Sequence, residues 1–194
     1  MADLSHLGGL NPVETLELDN LYPTAKVSTF RLAPKGRYTL RAPDSFTSAS
    51  FTRTKSGNLQ AQIDPTIVGP TNEGATVRFV KVSAKAFERE GKYVSQIGDY
   101  LAACGFQGTL RDEQSIANAV EQTAGRVYEA NLDWEASNYK TGFRVKGMEN
   151  FPKNEDGTYQ SWVIDPTTKD ENGNPKRLLA NLVIPFGGFI PAAQ

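Results

Sequence analysis

The spacing of apolar residues changes period twice along the chain, and this constrains the fold more than any other feature. In "GRYTLRAP", Tyr38, Leu40 and Ala42 alternate with Arg37, Thr39 and Arg41, the period-two pattern of a strand with one buried face and a cationic outer face. The same period runs through "LQAQIDPTIVG", where Leu59, Ala61 and Ile63 face inward and Gln60 and Gln62 outward. "ATVRFVKVSA" predicts a third strand carrying Arg78 and Lys81. "KSGN" at 55–58 and "NEG" at 72–74 supply the turns, so this part of the chain predicts a three-stranded meander.

From Val94 the apolar positions fall at helical spacing, Val94, Ile97, Leu101 and Cys104, with Gly105 as the stop. A second helix fits "RDEQSIANAVEQTAG", opened by Asp112 and closed by Gly125. Period two returns in "RVYEANLDWEA", with Tyr128, Ala130, Leu132 and Trp134 on one face. The turn "SNYKTG" then leads into "FRVKGM". Residues 149–177, rich in Pro, Gly and acids, predict a long excursion with a small hairpin around Tyr159 to Ile164, and "LLANLVIPFGGFIPA" offers a last strand. The chain is therefore expected to be mainly β with one or two helices. Its element order is that of an OB-type five-stranded Greek-key β-barrel with loop and hairpin excursions.

With 194 residues, 39% of them hydrophobic, the chain can build one domain with a substantial core. That domain is expected over residues 26–194, behind a flexible acidic N-terminal arm, 1–25, holding Asp3, Glu14, Glu17 and Asp19. The net charge of -1 hides an asymmetry. Residues 26–92 carry twelve Lys and Arg against five Asp and Glu, whereas residues 93–194 carry nine against thirteen. A middle segment this basic attracts phosphates although the whole chain is no polycation. Cys104 and His6 are the single cysteine and histidine, which rules out a disulfide framework and an ordinary zinc ligand set. The N-terminus lacks a signal-peptide pattern, and no apolar run nears the ~20 residues that span a bilayer, so an intracellular setting away from membranes is expected.

Catalytic patterns are missing. There is no G-x-x-x-x-G-K-[ST] phosphate loop, and His6 lies too far from the body to serve a Ser or Cys nucleophile. Asp133 and Glu135, two apart on a strand, point the same way and would suit a magnesium ion. A nuclease adds a third carboxylate and a positioned lysine, which no motif here fixes, so alternating acids on a solvent face is the simpler account. "NEDG" and "KDENGN" lack calcium-loop spacing around Gly157 and Gly173 and read as turns. No enzyme activity, metal or cofactor is expected.

"GRYTL", "TRTKSGNLQAQI", a helix before "GRVYEANLDWEA", then "TGFRVKGMENFP" and a Gly/Asp-rich hairpin together resemble small OB-fold proteins from the replication modules of tailed bacteriophages. The resemblance runs loosely from Phe30 to Ile190. It implies a single-stranded DNA-binding protein, at work in the host-cell cytoplasm during replication or recombination beside the proteins of those processes. Many proteins of that function end in an acidic recruiting tail. Here the sequence ends "FGGFIPAAQ", so the acidic N-terminal arm is the candidate substitute.

An OB barrel binds single strands on the face of its second and third strands, with two loops closing over the ligand. The strand is expected to cross Gln60, Gln62, Arg78 and Lys81, beside Arg41 on the first strand's outer face. The first loop, 42–58, carries Phe51, Arg53 and Lys55. The second, 137–142, carries Tyr139 and Lys140, with Arg144 and Lys146 just beyond. Cations follow phosphates while flat rings stack on any base, so aromatic and basic residues in one loop form the informative combination. Trp134 and Phe143 are expected in the core. Trp162 would extend the stacking track, cap the barrel or join a homodimer contact. The competing expectation is a phage structural or adaptor domain using residues 151–162 as a protein interface.

Overall fold

Strand β8, Val127–Asn138, is the hub of the fold. Its twelve residues alternate as the sequence predicts, with Tyr128, Ala130, Leu132, Trp134 and Ala136 buried. The computed structural model describes residues 32–192; the acidic arm, His6 and the domain boundary expected at residue 26 lie outside the described residues. Along its first half β8 pairs antiparallel with β1, Gly36–Arg41, and with β13, Phe189–Ile190. Along its second half it pairs with β9, Phe143–Lys146, and β12, Asn181–Val183. β4, Thr66–Gly69, lies on the other edge of β1.

A separate three-stranded sheet contains β2, Phe51–Arg53, β3, Leu59–Gln62, and β5, Lys81–Ser83, in the order β2-β3-β5. Two hairpins complete the strands: β6, Phe87–Arg89, with β7, Lys92–Val94, and β10, Trp162–Lys169, with β11, Pro175–Leu179. Helix α1, Gln96–Ala103, starts at Ser95, whose hydroxyl accepts the Gly98 N–H at 3.1 Å, and buries Ile97, Tyr100 and Leu101. Helix α2, Glu113–Glu121, is capped reciprocally by Asp112 and Ser115 and buries Ala119 and Val120. No helix among the described residues is long and apolar enough to cross a membrane.

The meander differs from expectation. The segment "LQAQIDPTIVG" splits into two strands, β4 pairing with β1 and β3 with β5, and the strand completing the three-stranded sheet is β2, inside the segment expected to be loop 42–58. The third predicted strand shortens to Lys81–Ser83. Val77, Val80 and Val82 are all buried, and a period-two strand cannot put both 77 and 80 on one face, so the chain turns at Arg78 and Phe79. The last predicted strand splits into β12 and β13 because a turn intervenes, with Gly187 at φ 73° and the Gly188 N–H donating to the Pro185 carbonyl at 2.8 Å. The hairpin in the excursion runs from Trp162 to Leu179, while Tyr159 makes only an isolated bridge to Lys153. The protein is mainly β with two helices, and none of the sheets among the described residues closes into a barrel.

Candidate nucleic-acid interface

The second half of β8, with β9 and β12 on its edges, forms one wall of an open groove; the Arg78–Phe79 turn and the start of β5 form the other. The groove comprises two adjoining depressions of about 470 and 440 Å³ that share Arg78, Phe79, Lys81, Glu135, Tyr139 and Val183. Trp134 is only 5% exposed: its Nε1–H donates to the Ala33 carbonyl at 2.7 Å and its ring meets Phe151 edge-on, which makes it core as the alternation predicts. Phe143 is half-buried and packs against the same core.

Three turns bring aromatic rings into this groove. Tyr139, 83% exposed, stands on the β8–β9 turn, closed by the Gly142 N–H on the Asn138 carbonyl at 2.8 Å. The turn is tied down from outside, since Asn138 Nδ2 donates to Asp165 Oδ2 at 2.7 Å and to Thr168 Oγ1 at 2.9 Å. Burial of Asp165 raises its pKa, but hydrogen bonds from Thr167, Asn138 and Thr168 outweigh this and bring it down to about 2. Phe79, 72% exposed, stands on the turn before β5. Phe186, 62% exposed, occupies the turn between β12 and β13, where Phe87 of β6 braces it at 4.5 Å between ring centroids.

Cations flank these rings. Arg144 and Lys146 approach Glu135 at 3.2 and 4.0 Å, while neither Arg78 nor Lys81 has an ion-pair partner among the described residues. The groove's second acid, Asp133, is already engaged. It pairs with Lys35 at 3.2 Å and accepts the Met148 N–H at 2.9 Å, which argues against Asp133 and Glu135 as a shared metal ligand pair. Among the described residues no cluster of three or more His, Cys, Asp or Glu could hold a metal. Four cations thus face one carboxylate that is not taken up elsewhere, an arrangement that attracts an anionic chain.

Of the residues expected to bind, Arg78, Lys81, Tyr139, Arg144 and Lys146 line this groove. Gln62 pairs in register with Lys81 and Gln60 with Ser83, so both glutamines share the outer face of the β3–β5 ladder with Lys81. Lys140 is exposed beside Tyr139 without lining the groove. The other five lie elsewhere. Arg41 opposes Val127, about 20 Å up β8 from the groove at the usual rise per strand residue. Phe51 is half-buried and packs against the core, on the face opposite Lys81. Arg53 makes a paired contact with Glu113 of α2 at 2.9 and 2.6 Å, and Lys55 sits in the exposed turn that follows. Trp162 lies half-buried on the β10–β11 hairpin with the Arg177 guanidinium stacked on its ring at 4.0 Å.

Sequence reasoning missed Phe79 and Phe186. The broken valine period at 77 and 80 signals the first, and the "PFGG" run, with glycines suited to a tight turn, signals the second. No curated protein and no solved structure matches the chain. One family does match, over residues 21–158, and the chain accordingly belongs to the family described as protein of unknown function (DUF669).

Proposed function

We propose that this protein binds single-stranded DNA in the groove between the Arg78–Lys81 segment and the β8–β9 strands, without chemistry and with little sequence preference. The observation that carries the reading is the meeting of three exposed rings, Phe79, Tyr139 and Phe186, with four cations on one open cleft. Rings stack on bases of any identity while cations follow the phosphates, so the combination favours a strand whose bases are unpaired. An OB-type barrel binds single strands across a strand face closed over by loops, and here too the groove lies between strands and the turns that border them. In this reading the protein coats strands exposed during phage replication or recombination in the host cell and works beside the proteins of those processes.

Fluorescence anisotropy of labelled oligo-dT, competed with unlabelled duplex of equal length, tests the proposal. Saturable binding that duplex displaces poorly is the expected result; equal displacement by duplex would refute it. A phage structural or adaptor role is favoured by one observation. Arg53, Arg89 and Arg144 are held in ion pairs, leaving fewer cations for phosphate than the sequence promised. An adaptor would leave oligo-dT unbound at low salt.

A further inference from the structure

Phe79 presents a physical conflict. It is one of three non-glycine residues at positive φ among the described residues, at 62°, a region in which a Cβ crowds the following carbonyl. Asn72, another of the three, has a side chain suited to that region; a phenylalanine does not. A buried ring could offset the strain by its packing, but Phe79 is 72% exposed. Folding therefore gains little from this side chain and bears the cost of its backbone.

The turn is nonetheless held firmly. The Val77 N–H donates to the Pro65 carbonyl at 2.8 Å and the Ile63 N–H to the Val80 carbonyl at 2.9 Å. Asp64 completes the clamp: its Oδ1 accepts the Val80 N–H at 2.8 Å and its Oδ2 the Gln62 amide at 2.6 Å. Val77 and Val80 are buried on either side, so the two anchors leave the intervening Arg78 and Phe79 projecting into the groove. A strained, exposed aromatic between two cations, Arg78 and Lys81, that lack an ion-pair partner among the described residues is suited to a flat partner that carries negative charge on its edge.

We infer that Phe79 is the principal base-stacking residue of the groove and sets its preference for unpaired over paired bases; the inference rests on the single-strand reading above. Duplex DNA keeps its bases stacked on one another and offers Phe79 no free base face, so only the single-stranded ligand gains from the ring.

The test uses the full chain with Phe79→Gly, which relieves the backbone and removes the ring, Phe79→Asn, which suits positive φ without a ring, and Phe79→Trp, which restores a stacking surface. Oligo-dT and duplex affinities, their salt dependence and the melting temperature are measured for each. Glycine and asparagine are expected to weaken oligo-dT binding about fivefold to 150-fold, the loss of one stacked base. Duplex affinity and the salt slope should hold, the melting temperature should hold or rise as the backbone strain is relieved, and tryptophan should restore binding. Oligo-dT binding by glycine and asparagine variants within twofold of the unaltered protein overturns the inference and leaves the groove reading standing. Failure of the unaltered protein to bind oligo-dT at low salt overturns both.

Discussion

Removing Arg78 and Lys81 together isolates the electrostatic half of the proposed binding. Both side chains are exposed and neither is in an ion pair among the described residues, so Arg78→Ala with Lys81→Ala should change folding stability by less than about 1 kcal/mol. Each cation that neutralises a phosphate on a single strand releases about 0.7 counterion, and the logarithm of affinity falls with the logarithm of salt by that amount per contact. Arg78 and Lys81, the groove cations without an ion pair among the described residues, account for about 1.4 of the slope, so the double variant's slope should be shallower by about that amount. Over a tenfold rise in salt, the unaltered protein should lose about 25-fold more affinity than the variant. The assay is oligo-dT anisotropy across a potassium chloride series. Arg53→Ala serves as the control, because its guanidinium is committed to Glu113 on α2 and its removal should leave the slope unchanged. An unchanged slope in the double variant, or a reduced slope in Arg53→Ala, would refute the assignment of the groove.

Three further predictions follow from the packing. Trp134→Ala removes a buried ring and leaves the Ala33 carbonyl without its 2.7 Å donor, so urea unfolding should show a loss of about 3–5 kcal/mol. The Asp165 carboxyl has a folded pKa of about 2, below its ordinary value, so its stabilising contribution is present above pH ~4 and lost as pH falls toward 2. Asp165→Asn should flatten acid unfolding in that window, and an unchanged acid transition would exclude the role. Burial pushes the Cys104 thiol up to about 11, against the weaker lowering by Tyr100 and Arg126, so a thiol reagent at pH 8 should label it slowly in the native state and fast in urea.

Much of the body was legible because burial imposes a strict period. The alternation of Tyr128, Ala130, Leu132 and Trp134 identifies β8 and its inward face, and Asp112 with Gly125 marks a helix within a few residues at either end. Pairing was less legible, since period two says which face is buried but not which strand lies alongside. Hence "LQAQIDPTIVG" was expected as one strand between its neighbours, whereas its second half, "TIVG", pairs with β1 and its first half, "LQAQ", pairs with β5 in another sheet. The candidate site was legible where polar character and position agree, as at Tyr139 in a turn no core pattern reaches. It was hidden at Phe79, where an apolar residue inside "VRFVKV" reads as strand until the odd spacing of buried Val77 and Val80 is weighed. The engagement of Arg53 was hidden for the opposite reason. A cation near a flexible loop looks available for phosphate, and only the fold brings Glu113, 60 residues away in sequence, within 2.6 Å of it.

Ultraviolet cross-linking of the full chain to oligo-dT, with the adducts mapped by peptide mass spectrometry, tests the location of the strand most directly. Adducts on the peptides that contain Phe79, Tyr139 and Phe186, suppressed by excess unlabelled oligo-dT, are the predicted result. Adducts confined to the Phe51 to Lys55 segment or to Trp162 on the β10–β11 hairpin would contradict the groove and return the binding surface to elements on which neither depression opens.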